Sequence, residues 1–195
     1  MEKKDKIINF EIEYNTNYRN IKYPRLEFRT GKLELILPLK YKNKEKLLEK
    51  HSKWIVEKNK LILRALKDSK DKKLEERNEK ELRKIVLKYT KKREIRRIFF
   101  RKMKSKWASL SSNNNLTVNI LLKYLPEELI RYVIFHELTH LKQKRHNEMF
   151  WSIISSKFKN YEIKEKDLFI YWFAIQSKKK VTDSGNNRQG TLDKR

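Results

Sequence analysis

Three of the four histidines fall within eleven positions, in the run His136-Glu137-Leu138-Thr139-His140-Leu141-Lys142-Gln143-Lys144-Arg145-His146. On a helix, residues four apart stand one turn above each other on the same face, so His136 and His140 present paired imidazoles. Glu137 is turned about 100° from His136 around the axis. This H-E-x-x-H spacing suits a zinc ion held by two neutral imidazoles, with the carboxylate as general base toward the zinc-bound water.

A catalytic zinc takes three protein ligands and keeps one position open. His146 is the nearest third candidate. On a continued helix it would lie about 9 Å further along the axis and about 240° around from His140, out of reach of a shared ion. The spacing therefore predicts that the helix ends between His140 and His146 and that the chain folds back. Glu162 and Glu165 are the competing third ligands, set against a reading as solvated charges in a polar connector. His51 shares a helical face with Leu47, Leu48, Trp54 and Ile55 and reads as a packing residue.

The helix that must carry the motif has independent start signals. Pro126 suits a first helical position, and Glu127 and Glu128 suit the positive end of the helix dipole. Leu129, Val133, Ile134, Leu138 and Leu141 form the expected buried stripe, and the predicted extent is about Pro126 to Gln143. Lys142, Lys144 and Arg145 suit its C-terminus, and Asn147 is the nearest turn-forming residue.

Tyr132-Val133-Ile134-Phe135-His136-Glu137-Leu138-Thr139-His140-Leu141, with His146 and Phe150-Trp151, resembles the YgjP-like metal-dependent hydrolases, relatives of the SprT and WLM zinc peptidases. Lys104-Ser105-Lys106-Trp107-Ala108-Ser109-Leu110-Ser111-Ser112 and Asn115 to Asn119 are similar to that family's R-S-R-W-G-S-C-S segment and the strand after it. Ala108 and Leu110 stand where the family usually has Gly and Cys. Arg25 to Pro38 and Trp54-Ile55 resemble its opening strands and first helix. The resemblance implies His136, His140 and His146 as ligands and Glu137 as catalytic residue. It implies an α+β fold with a zincin-like core, the H-E-x-x-H helix packed on a small antiparallel sheet, and an N-terminal β-hairpin and helix. Lys106, Trp107, Ser109 and Asn115 then become candidate substrate-binding residues. Tyr161 is a candidate oxyanion donor, with aromatic packing after a helix as the preferred reading.

Composition bounds these readings. There is no cysteine, so disulfides and thiolate ligands are excluded and zinc must be held by histidine and carboxylate. The first residues lack the apolar core of a signal peptide and the longest apolar run, Leu168 to Ile175, is too short to span a bilayer, so a cytoplasmic protein is expected. The net charge is +25. Scarce Ala, Gly and Pro beside abundant Lys, Asn and Ile fit an AT-rich genome, which accounts for much of the lysine. It accounts less well for the imbalance, since glutamate codons are also AT-rich. The densest cationic cluster, Lys91 to Lys106, contains Glu94 as its one acid and is a candidate nucleic-acid surface.

Along the chain, Ile8, Phe10, Ile12 and Tyr14 alternate as in a half-buried strand. Leu26 to Leu37 reads as a hairpin around Thr30-Gly31, and Asn43 to Lys67 as one helix. Residues 1–68 form an N-terminal region of strands and helix, 69–77 a charged linker or helix extension, 78–176 the catalytic region and 177–195 a disordered basic tail. Ile98-Phe99-Phe100 and Leu116 to Ile120 read as two strands of a hairpin beneath the motif helix.

The first functional expectation is a zinc metallopeptidase acting on protein or peptide, with nucleic acid as a further partner. A nucleotide pyrophosphatase is the alternative, disfavoured by the lack of a P-loop or a paired-carboxylate magnesium motif. A non-catalytic nucleic-acid-binding module with structural zinc is the third, and Glu137 argues against it because a closed structural site needs no base.

Overall fold

Alternation at the N-terminus produces short strands instead of one long one. A computed structural model describes residues 6–7, 10–29, 31–90 and 95–186, and the chain divides into two units, Met1–Lys70 and Asp71–Arg195. In the first unit, β1 (Lys6–Ile7) and β2 (Phe10–Glu11) form a minimal antiparallel ribbon and β3 covers Tyr14–Arg19. Ile8 lies outside the described residues. β4 (Arg25–Arg29) and β5 (Lys32–Pro38) pair antiparallel, and Gly31 takes the positive φ of 88° that the reversal requires. β3 returns to pair parallel with β5, giving the order β3-β5-β4.

The expected helix over 43–67 is interrupted. α1 (Lys44–Lys50) and α2 (Ser52–Asp68) meet at His51, which leaves helical geometry at φ −107°, ψ 10°. Leu33, Leu35 and Leu37 share one face of β5 and are buried with Leu48 and Ile55 from the helices. That is the period of two meeting the helical period in one core.

The second unit begins with an extended stretch, tied by the Glu75 amide to the Tyr124 carbonyl at 3.0 Å. α3 (Glu79–Tyr89) opens on a reciprocal capping box: Asn78 accepts from the Glu81 amide, and the Glu81 carboxylate accepts from the Asn78 amide. Then come β6 (Arg97–Arg101), β7 (Ala108–Leu110), β8 (Asn115–Asn119), a 3-10 turn (Ile120–Tyr124), α4 (Glu127–Thr139), α5 (Glu148–Lys157) and α6 (Tyr161–Asn186).

Three expectations are corrected here. β6 and β8 are not a hairpin: they pair in parallel, and β7 pairs antiparallel with β8 on its other side, so the sheet is mixed with order β6-β8-β7. The loop of residues 102–107 and the short β7 carry the chain across, which lets two parallel strands neighbour each other without a crossover helix between them. The expected loss of order from Ser177 does not hold over the described part, because α6 continues to Asn186; residues 187–195 lie outside it. Glu162 and Glu165 are not in a connector but on the first turns of α6.

The core of this unit gathers Leu82 and Val86 of α3, Leu116 and Val118 of β8, Tyr132 and Ile134 of α4, and Phe150 and Ile154 of α5, all fully buried. Each such side chain contributes about 1.5–3 kcal/mol by leaving water. Among the described residues no helix is long and apolar enough to cross a membrane.

Candidate metal centre

α4 ends at Thr139, about one turn before the expected Gln143. His140 is its C-cap, and the amides of Lys142 and Gln143 both bond back to the Thr139 carbonyl at 3.0 and 2.9 Å. The chain then turns until Asn147, whose side chain caps α5 by accepting from the Phe150 amide at 3.1 Å. The reversal thus spans 140–147, with histidine at each side of it.

This bend brings three imidazoles to one point. Nε2 of His146 lies 3.1 Å from Nε2 of His136 and 3.1 Å from Nε2 of His140. One ligand atom from each residue lies within 4.8 Å of the others, and among the described residues no other such group of three occurs. Tetrahedral ligands about 2.0–2.1 Å from a zinc ion would be about 3.3 Å apart. The outer ring nitrogens support the same tautomer. His140 Nδ1 is 3.1 Å from the Gln143 carbonyl oxygen, which can only accept, so Nδ1 carries the proton and Nε2 the lone pair. His136 Nδ1 faces the Glu165 carboxylate at 3.6 Å. Lone pairs converging this closely repel one another unless a cation sits among them, so the donor set fits a divalent ion. Phe150, fully buried, supports all three rings, with centroids at 5.0, 4.8 and 4.6 Å from those of His136, His140 and His146.

Glu165 and Tyr132 are the residues that sequence reasoning missed in this role. The Tyr132 hydroxyl donates to Glu165 at 2.5 Å. Burial pushes the Glu165 carboxyl up, but the adjacent His136 imidazole and the Tyr132 hydroxyl outweigh it and leave it below the usual carboxylate range. A carboxylate behind a ligating imidazole fixes the ring and raises its basicity. Burial also lowers the His146 imidazole, with the two neighbouring rings adding to the effect, which favours the neutral form that can bind a metal.

Glu137 occupies the adjoining wall. Its Oε2 accepts from the Leu110 amide of β7 at 2.9 Å. Burial is the largest influence and raises its carboxyl above the ordinary value, against the opposing pull of His136, His140, the Leu110 amide and Lys106. An elevated carboxyl pKa is the property wanted in a group that takes and returns a proton near neutral pH.

These groups line a cleft of about 590 Å³. Lys106, Trp107 and Ser109 are on its walls, with the Trp107 ring edge-on to Trp172 at 5.0 Å. Asn114, rather than the expected Asn115, is on the wall; the Asn115 side-chain oxygen is buried without a partner. Tyr161 is absent from the lining and stacks on Trp151 at 4.9 Å with 19° between planes. Glu162 takes no part in the histidine group.

The crystal structure of the metallopeptidase zymogen of Methanocaldococcus jannaschii jannalysin is similar over 49% of this chain and 95% of its own, at 30% identity and a TM-score of 0.37. That of Pyrococcus abyssi abylysin, also a metallopeptidase zymogen, covers 44% of this chain and 82% of its own, at 28% identity and a TM-score of 0.34. No curated protein matches. The model of the YgjP-like metallopeptidase domain matches residues 61–169, more than half of the sequence, and the chain belongs to that family.

Proposed function

We propose that this metallopeptidase-family hydrolase cleaves peptide bonds at a zinc ion held by His136, His140 and His146, with Glu137 as general base. The single observation that carries the reading is the convergence of three Nε2 atoms beside a partly buried carboxylate. A zinc ion in that position would supply Lewis acidity to the attacked carbonyl and acidify a water molecule. With such an ion in place, Glu137 would accept a proton from water as the water oxygen adds to the carbonyl carbon, and would deliver it to the leaving nitrogen as the C–N bond breaks. Its bond to the Leu110 amide holds the carboxylate at the cleft wall. Glu165 and the Gln143 carbonyl orient the two helix imidazoles through their Nδ1 atoms. The zincin-like arrangement of the motif helix beside a small sheet belongs to this same reading.

Nucleoside triphosphates are a weaker fit. Lys106 and Lys144 line the cleft, but its carboxylates are engaged: Glu137 with the Leu110 amide, and Glu165 with Tyr132 and His136. The test is to load the purified chain with zinc and offer it labelled casein and nucleoside triphosphates. Casein should be cut, and Glu137→Gln should keep one zinc per chain while losing about 10³-fold in rate. Pyrophosphate release without proteolysis would overturn the peptidase assignment, and an unchanged rate in Glu137→Gln would remove that residue from the mechanism.

A further inference from the structure

Strand register sorts the side chains of the β6-β8-β7 sheet onto two faces. Ile98 and Phe100 pack on the core with Leu116 and Val118, and so do Ala108 and Leu110. The residues alternating with them therefore share the opposite face. Cross-strand pairing aligns Phe99 with Thr117 and Thr117 with Ser109, a row that runs from the β6 edge to the wall of the cleft. Arg97 and Arg101 flank Phe99 on the same face of β6, both exposed, and the Arg101 guanidinium lies 5.2 Å from the Phe99 ring centroid.

Charge on this face is of one sign. From Ile95 to Pro126 the sequence contains no Asp or Glu. Arg96, Lys102, Lys104 and Lys106 are exposed in the flanking segments. Neither Arg97 and Arg101 nor Lys102 and Lys104 take part in an ion pair among the described residues. Cations left without counter-charges keep their full attraction for a polyanion. Planar groups lying on a β-sheet between cations are surfaces on which unpaired bases stack while phosphates meet the charges.

We propose that the outer face of the β6-β8-β7 sheet binds single-stranded nucleic acid, with Phe99 and Arg101 as the stacking platform and Arg97, Lys102 and Lys104 as phosphate contacts. The row through Thr117 and Ser109 leads the bound strand toward the cleft rim. The assignment is independent of the peptidase mechanism, since none of these five residues belongs to the metal centre.

The test is fluorescence anisotropy of the full chain with a labelled twenty-nucleotide oligothymidylate across a salt series. Arg97→Gln with Lys104→Gln should make the salt slope shallower by about 1.4, since each lost phosphate contact on a single strand removes about 0.7. Phe99→Leu should weaken binding about tenfold with little change in slope, and Phe99→Tyr should restore it. Lys46→Gln with Lys50→Gln, two exposed cations of the first unit, should leave binding within about twofold. Equal losses in that control would overturn the proposal in favour of general lysine richness. Tighter binding to a duplex with no response to Phe99 would overturn the single-strand assignment. Competition by polyglutamate as strong as by the oligonucleotide would turn the surface over to an acidic protein.

Discussion

The two three-stranded sheets have the same topology and opposite surfaces. In each, the first strand pairs parallel with the third and the second pairs antiparallel with it, giving β3-β5-β4 and β6-β8-β7. In each, one face of the central strand buries alternate apolar residues, Leu33, Leu35 and Leu37 in one and Leu116 and Val118 in the other, while Ile36 and Asn119 are the buried residues of the far faces. The far faces differ. On β5, Glu34 accepts hydrogen bonds from Asn17 at 2.8 Å and Asn15 at 3.5 Å, and Glu27 stands directly across the pair. On β6 the matching face carries Arg97, Phe99 and Arg101. The elements that follow also differ: after β5 come helices whose apolar faces close a core, whereas after β8 comes the helix that carries His136 and Glu137. One topology thus serves as a packing layer in one unit and as a wall of the candidate site in the other, and side chains make the distinction.

The largest effect that could break this comparison is on stability. Leu35→Ala should cost about 2–5 kcal/mol in the first unit while metal stoichiometry in the second stays unchanged. Loss of metal together with that melting transition would mean that the site depends on both cores. A denaturant titration with a zinc assay at each point separates these outcomes.

Next comes the carboxylate behind the metal centre. Glu165→Ala should lower metal affinity about 10–100-fold with the fold intact, measured by competition with a chelator. An unchanged affinity would show that the Tyr132–Glu165 pair serves packing alone.

How much of this was legible in sequence depends on whether the signal was local. The start of α4 was, because Pro126, Glu127 and Glu128 announce it, and so was the need for a bend before His146. Where α4 ends was not. No Gly or Pro marks it, and the stop shows only in the backbone, where the Lys142 and Gln143 amides both turn back to the Thr139 carbonyl. The parallel pairing of β6 and β8 was hidden because alternation gives a strand's faces but not its partner. β7 was hidden because Ala108-Ser109-Leu110 is too short to show a period. Glu165 looked like any charge at a helix start; only the approach of α6 to α4 gives it Tyr132 and His136 as partners. Asn115 and Asn114 are adjacent in a run of three asparagines, and only the backbone decides that Asn114, at φ 55°, reaches the cleft.

A smaller effect sharpens the account of the bend. Asn147→Ala removes the cap of α5 and should cost about 1 kcal/mol, read as a lower melting temperature. The loss should shrink when metal is bound, because coordination then holds His146 in place without the cap. Equal losses with and without metal would disconnect the cap from the site.

The smallest expected effect is electrostatic. Glu127 accepts from Tyr89 at 2.7 Å and from Lys88 at 2.9 Å, clasping α4 to α3. Those hydrogen bonds, Tyr89 first and Lys88 second, hold its carboxyl below the ordinary value. The clasp is therefore fully present above the normal carboxylate pKa and is lost as pH falls through the lowered one. Glu127→Gln should melt slightly below the wild type at neutral pH and converge with it in acid. A gap that widened on acidification would reverse the sign of the interaction.

The return between His140 and Asn147 contains no positive φ, since among the described residues only Asn114 and Gly31 have one. No position in it demands glycine. Residues 142–145 can consequently be diversified with almost any L-amino acid apart from proline, so long as the two flanking histidines, the asparagine and Leu141, which packs on the core, are kept. That makes this short stretch beside the candidate metal centre a place where side chains can be exchanged without dismantling it.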